Sequence, residues 1–449
     1  MGTTPGMVAP SGRRAVAVAS LVVLLGLLAP AARAAAAGPP LRAGIWISHD
    51  RLERLPEHGA AWRELRRIAD EPMGHADLSD QDGNHDVRVL AIALVSARTG
   101  SDRLRRKAAA GIMDAIGTER GGRTLALARG LVAYVVAADL IDLRRYDADR
   151  DRVFRRWLRG VRRERLKPAG FPTLVATHEM RPNNWGAHAG ASRVAADVYL
   201  GDRRDLARAA AVLKGYLGDR RVYSGFDFGA DLSWQADPAA PVGVNPPGAV
   251  RAGNAVDGVL PDDMRRGCSL RFPPCPTRYP WEAMQGLVTQ AEILSRQGYD
   301  AWNWGDQALR RAAQFLFGMR QRYGASWDPP PGGTWIPWLL NARYGSHFPT
   351  ASPARPGKGM GYADWTASGP GACHRGDCNA PLGPRRSVAP IAPGSAAAGR
   401  PPTGAETGIE PGVIVAVAVA SAVALALLAR WRTVRRRRRG ARRVGPAPR

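Results

Sequence analysis

In RPNNWGAHAG two asparagines precede a tryptophan, and His188 follows Asn184 by four residues. If a helix opens at these asparagines, residues four apart stack one turn apart on one face. Asn184 and His188 then share a line of sight, an amide to hold an anion beside an imidazole to assist a proton. His178, in ATHEMRPNNW, lies on the loop just before them. Asn183 also reads as a helix cap, and Trp185 as a core residue or a platform for a sugar ring. A second group is acidic. Asp227, Asp231, Asp237, Asp257, Asp262 and Asp263 fall in one irregular stretch, and paired carboxylates can hydrolyse a glycosidic bond. Trp234, Trp302, Trp304, Trp327, Trp335 and Trp338 would line a sugar cleft or fill a core. There is no metal-ligand spacing, no glycine-rich phosphate loop after a strand and no serine elbow, so neither metal nor cofactor is expected.

Elements that must position these groups read as helices in pairs. Leu90, Ala93, Leu94 and Ala97 form a stripe that stops at Gly100; Leu104, Ala108, Ile112 and Ile116 form the next, after a Ser101/Asp102 cap. LALARGLVAYVVAADLIDL is apolar almost all round, as a helix between other helices would be. Its partner carries Val153, Trp157, Leu158 and Val161 on one side and arginines on the other. RPNNWGAHAG opens a third pair, whose second helix carries Leu206, Ala210, Leu213 and Leu217. A fourth carries Met284, Leu287, Val288, Ala291 and Leu294, then a helix from Leu309 to Met319. Each pair has an apolar first helix and a more charged second. Such hairpins pack with the apolar members inside, so the fold class expected is all-α, an incomplete (α/α) toroid of antiparallel hairpins spanning 41–377. Strands are poorly supported anywhere. The long irregular stretch from Tyr223 to Arg278 is expected to be functional.

The two ends differ in kind. Arg13 and Arg14 precede AVAVASLVVLLGLLAP and the small-residue run AARAAAAG, which predicts a secretory signal over 1–37. GVIVAVAVASAVALALLA is uncharged and long enough to cross a bilayer, which predicts a transmembrane helix over 412–431. RWRTVRRRRRGARR follows it, and arginines beside a span stay cytoplasmic, so 432–449 is expected inside the cell and the body outside. A Pro/Ala/Gly-rich linker, 378–411, would join them. The net charge is +25; ten arginines of the tail and three of the signal account for about half of it. A basic exported body favours anionic polymers as partners. Beside a span, the arginine run serves topology and anionic lipid, and no nucleic-acid partner is expected. Four cysteines in an exported chain point to disulfides. Pairing Cys268 with Cys275 and Cys373 with Cys378 is the simplest of the three ways to connect them.

The body resembles the alginate lyase family of helical-toroid polysaccharide lyases over most of its length. RPNNWGAHAG, DGVLPDDMRRG, RYPWEAMQGLVTQAEILSRQGYDAW and WIPWLLNARYG carry the likeness. It implies cleavage of an acidic, uronate-containing polysaccharide by β-elimination, with Asn184, Arg266 and Tyr279 at the family's asparagine, arginine and tyrosine positions. Arg266 and Asn184 would share the charge of the uronate carboxylate. A phenol whose pKa is drawn down from about 10 by a nearby cation, Arg265, Arg266 or Arg278, would move the protons. The family's histidine position holds Trp185 here, so His188 or His178 would have to assist, and the gap from Arg266 to Tyr279 is longer than the pattern by an insert that Cys268 and Cys275 would close. Catalytic residues are therefore expected to be Asn184, His188, Arg266 and Tyr279, with His178, Asn183, Trp185, Arg265, Arg278 and Trp234 at the substrate. The alternatives are a non-catalytic polysaccharide-binding protein and a glycoside hydrolase on the same toroid.

Overall fold

Helices dominate the computed structural model, which describes residues 1–2, 44–166 and 173–368. In chain order they are α1 (His49–Glu53), α2 (Gly59–Asp70), α3 (His85–Thr99), α4 (Asp102–Asp114), α5 (Thr124–Leu140), α6 (Leu143–Tyr146), α7 (Ala148–Val161), α8 (Leu174–Met180), α9 (Asn184–Leu200), α10 (Arg203–Tyr216), α11 (Pro261–Met264), α12 (Tyr279–Arg296), α13 (Trp304–Tyr323), α14 (Ile336–Tyr344) and α15 (Ala363–Thr366). Among the described residues the strands are β1 (Val250–Arg251) and β2 (Asn254–Ala255), an antiparallel hairpin pairing Val250 with Ala255. No helix of the described residues is long and apolar enough to cross a membrane. The chain divides after Ala380 into two compact units. The second unit, the signal, the linker, the proposed span and tail, and Cys373 with Cys378 lie outside the described residues.

The boundaries follow from local chemistry. Gly100 ends α3 in the left-handed conformation that a residue with a Cβ resists, and the Ser101 hydroxyl at once caps α4 by accepting from the Leu104 amide. Gly201 and Asp202 repeat this device between α9 and α10. Two expectations need correction. Ile116 lies beyond the end of α4, and Val153 faces solvent on α7 while Phe154 turns inward.

Helices α3, α5, α9 and α12, the apolar members, pack side by side in that order, α9 most extensively against α5 and α12. Helices α4 and α10 lie against α3 and α9, with their charged faces outward. The circuit returns to its start through α14 and α15, which reach α2, which in turn packs on α3. Trp365 clasps this joint: its ring lies 5.2 Å from that of Trp62 and its Nε1–H donates to the Pro56 carbonyl at 2.9 Å. Between α9 and α12 the backbones nearly touch. A Cβ on Gly286 would press into the carbonyl of Ala187 and the amide nitrogen of His188, and one on Gly190 would meet the Gln290 amide. Gly286→Val is therefore expected to destabilise the fold by about 1–3 kcal/mol in a urea titration, through overpacking at the tightest crossing.

Beside the short β1–β2 hairpin, the stretch from 223 to 278 is ordered by side-chain amides. Buried Asn245 donates to the Trp234 and Val256 carbonyls at 2.9 and 3.1 Å and accepts from the Ala236 amide. Gln235 bonds both backbone groups of Val242. Cys268 and Cys275 are disulfide-bonded. This framework holds α11, which delivers Arg265 and Arg266.

Candidate functional site

Asn183 caps α9: its Oδ1 accepts from the Trp185 amide at 3.1 Å and its Nδ2 donates to Asp262 at 2.7 Å. Asp263 receives the next amide, that of Asn184, at 3.1 Å. Two aspartates of α11 thus lock onto the start of α9, and the residues following them, Arg265 and Arg266, are held beside it. Burial is the main influence on both carboxyls and raises their pKa, Asp263 strongly. Arg265 turns back onto Asp262 at 2.6 Å. Arg266 reaches forward, and its Nη1 donates to the Asn184 Oδ1 at 2.6 Å. A guanidinium can only donate, which fixes the orientation of the Asn184 amide with its nitrogen directed elsewhere.

The guanidinium carbon of Arg266 lies 3.4 Å from the centroid of the Tyr279 ring, a close cation–π stack at the first residue of α12. Tyr279 is 37% exposed, so the ring is at the surface rather than in packed hydrocarbon. Asn184, Arg266 and Tyr279 are therefore brought together from three elements and 96 positions of sequence, with Arg266 as the link between the other two.

His188 does lie one turn beyond Asn184, but it is buried. Its Nε2 is 3.8 Å from Glu282 on α12, and Arg129 of α5 approaches the same carboxylate oxygen at 3.3 Å. Burial holds the imidazole below its usual pKa; burial also pushes the Glu282 carboxyl up, and His188 and Arg129 together outweigh it, leaving that group below the ordinary carboxylate range. Glu282 and Arg129 are missing from the sequence-based set. Both carried a signal: a charged residue among the apolar positions of its helix, which is costly to bury unless paired. His188 thus stands behind the surface cluster, a positioning candidate where the sequence reading expects a catalytic residue.

Other expected substrate contacts are corrected by burial. His178 is enclosed beside Arg193, at 3.4 Å, and burial then that arginine hold its pKa well down. Trp234 is 1% exposed, its Nε1–H donating to the Cys268 carbonyl at 2.8 Å, which makes it the packing under the disulfide loop. Trp302, Trp327 and Trp335 are also core residues. Trp185 is half-buried and Arg278 exposed, both next to the cluster in sequence. The carboxylates of the acidic stretch make local and cross-element bonds. Asp227, Asp231 and Asp237 accept from nearby backbone amides, Asp257 pairs with Arg311 at 2.5 Å, and Asp262 and Asp263 are spent on α9. Among the described residues, Asp197, Asp202 and Asp205 come close enough together to hold a metal ion. Arg162 already bonds to all three and Arg193 to Asp205, so the charge a cation would supply is present.

Comparison with known proteins returns no relative: no family model, no curated protein and no solved structure matches this chain.

Proposed function

We propose that the chain is a polysaccharide lyase of the alginate-lyase-like helical-toroid type, tethered to the cell membrane with its body outside, acting on an acidic polysaccharide. The observation that carries this reading is the Asn184–Arg266–Tyr279 cluster, an amide bonded to a guanidinium that stacks on an accessible phenol. The circuit of packed helices that closes on itself supports the toroid. The signal over 1–37 and the uncharged run over 412–429 followed by arginines support export and tethering.

In this reading a uronate carboxylate lies against the remaining N–H groups of Arg266, which take up charge as the C5 carbanion develops, while Asn184, buried behind it, orients the guanidinium. Tyr279, as phenolate, accepts the proton from C5, and the phenol so formed returns it to O4. The C4–O4 bond breaks, a C4–C5 double bond forms, and the chain is cut without water. Glu282, with Arg129 at 3.3 Å, stands beside His188 behind Asn184. A hydrolase would need two carboxylates at one bond, and the buried pair of the acidic stretch, Asp262 and Asp263, is spent on α9.

The test is incubation of the full-length chain with alginate, glucuronan and glycosaminoglycan-type polymers. New ultraviolet absorbance from an unsaturated end is the expected result. New reducing ends without that absorbance would mean hydrolysis, and retention of polymer without cleavage would mean binding alone; either overturns the proposal.

A further inference from the structure

A line of positive charge runs along the solvent side of α7. From Arg152 to Arg163 the chain holds six arginines and no carboxylate. Two of the six are spent inward: Arg155 donates to the Tyr199 and Leu200 carbonyls that end α9, and Arg162 is buried against Asp197. The other four, Arg152, Arg156, Arg159 and Arg163, are exposed, and they recur at steps of four, three and four residues. At about 100° a residue, those steps keep them within about 60° of one line, opposite the buried Phe154, Leu158 and Val161, and spread them over about 16 Å of axis. Arg163 stands in the turn that closes α7, its amide bonded to the Gly160 carbonyl at 2.9 Å. Only the ends of the line are answered, Arg152 by Asp149 and Arg163 by Asp205 at 3.9 Å; among the described residues Arg156 and Arg159 have no ion pair.

A face that is merely solvated looks different in this protein. On α2, Arg67 bonds to Glu64 and Glu71, and Asp70 accepts from Arg103 and lies 4.0 Å from Arg66, so each charge stands beside its opposite. Like charges three and four residues apart oppose the helix that carries them, and an anionic partner laid along the line removes that opposition. Geometry narrows the partner. A bilayer surface meets a broad face, and this is a single ridge. Duplex DNA presents a charge about every 1.7 Å of axis, whereas these guanidiniums rise about 4.5–6 Å apart. Single-stranded nucleic acid is held by stacked rings as well, and Trp157, the half-buried ring of α7, is occupied in donating to Glu119 at 3.2 Å. We infer that this ridge is a docking surface for an acidic polysaccharide that carries a carboxylate on each sugar. It is remote from Arg266: Arg155 ties α7 to Tyr199 at the far end of α9, about 23 Å along the axis from Asn184. It shares with the proposed function only the class of polymer, and holds one stretch of a chain whose other stretches are free to reach the cluster.

The experiment is arginine footprinting with phenylglyoxal on the full-length chain, read residue by residue by mass spectrometry, with alginate as the polymer and dextran as its neutral control. Alginate is expected to slow the modification of Arg156 and Arg159 about tenfold, a change in occupancy that dextran does not produce. Arg66 and Arg103, equally exposed but paired with Asp70, are expected to react at the same rate with either polymer or none. In Arg156→Gln/Arg159→Gln, which takes the middle out of the line, the protection of Arg152 and Arg163 is expected to be lost as well. Unchanged modification of Arg156 and Arg159 in alginate, equal protection of Arg66 and Arg103, or protection of Arg152 and Arg163 that persists in the double variant would each overturn the surface. Stronger protection by duplex DNA or by phosphatidylserine vesicles at matched charge would overturn the choice of partner. The lyase reading fails separately: protection with no new ultraviolet absorbance removes the lyase and leaves the surface, whereas elimination without protection does the reverse.

Discussion

Tyr279→Phe is expected to remove elimination activity while leaving polymer binding and the thermal midpoint close to those of the unaltered chain. The hydroxyl is the one group lost. Its ring remains, so the stack on Arg266 persists and the guanidinium keeps its bond to Asn184. General acid–base catalysis contributes about a hundredfold to ten-thousandfold, and a phenol that serves both as base and as acid loses both contributions at once. The fall should therefore appear in kcat and spare KM, as an interaction made only in the transition state would. If the variant retains most of the ultraviolet absorbance change, Tyr279 is not the proton carrier. Weakened polymer retention with unchanged turnover would place it in binding instead.

A second large effect is expected far from this cluster. Arg162 is buried at the end of α7 and bonds to Asp197, which is fully enclosed, and to Asp205 and Asp202 at 3.2 and 3.3 Å. Replacing it by methionine keeps much of the volume but strands a carboxylate in the interior. Breaking one partner out of a buried pair costs about 3–5 kcal/mol, because the remaining charge stays desolvated. In urea the midpoint should fall with the slope preserved. A change below about 1 kcal/mol would show that Asp197 takes its support from elsewhere. Replacing Arg162 together with Asp197 by apolar residues of similar size should recover much of the loss, since both charges then leave the interior.

Which of these arrangements could be read from residues alone depends on range. The hairpins were legible because capping and periodicity act within a turn or two: Gly100 with Ser101, and Gly201 with Asp202, mark their boundaries plainly. Val153 and Phe154 were confused because adjacent apolar residues differ by only 100° around a helix, and the neighbours that choose between them are remote. Arg266 and Tyr279 were picked out only by resemblance, and Asn184 also by its spacing to His188, yet their meeting depends on Asp262 and Asp263, which looked like candidate catalytic carboxylates and bond to the start of another helix. His188 was placed on the right face, but the depth of that face follows from Gly286, whose missing side chain lets α12 close over it. Trp234 and the other tryptophans were ambiguous because a sugar platform and a core ring have the same composition and differ only in what covers them.

The clasp between the first and last helices bears on how the protein is made. Trp365 bonds to Pro56 across 309 positions of sequence, Tyr362 to Val87 across 275, and Lys358 to Asp86 across 272. Contacts that distant form late, since the loop between them must be ordered before they repay its entropy. Until the segment near Trp365 has left the ribosome, the Trp62 face of α2 and the start of α3 have nothing to rest against. A nascent chain would therefore stay loosely folded until that segment emerged, and the finished body would be secured at this one seam.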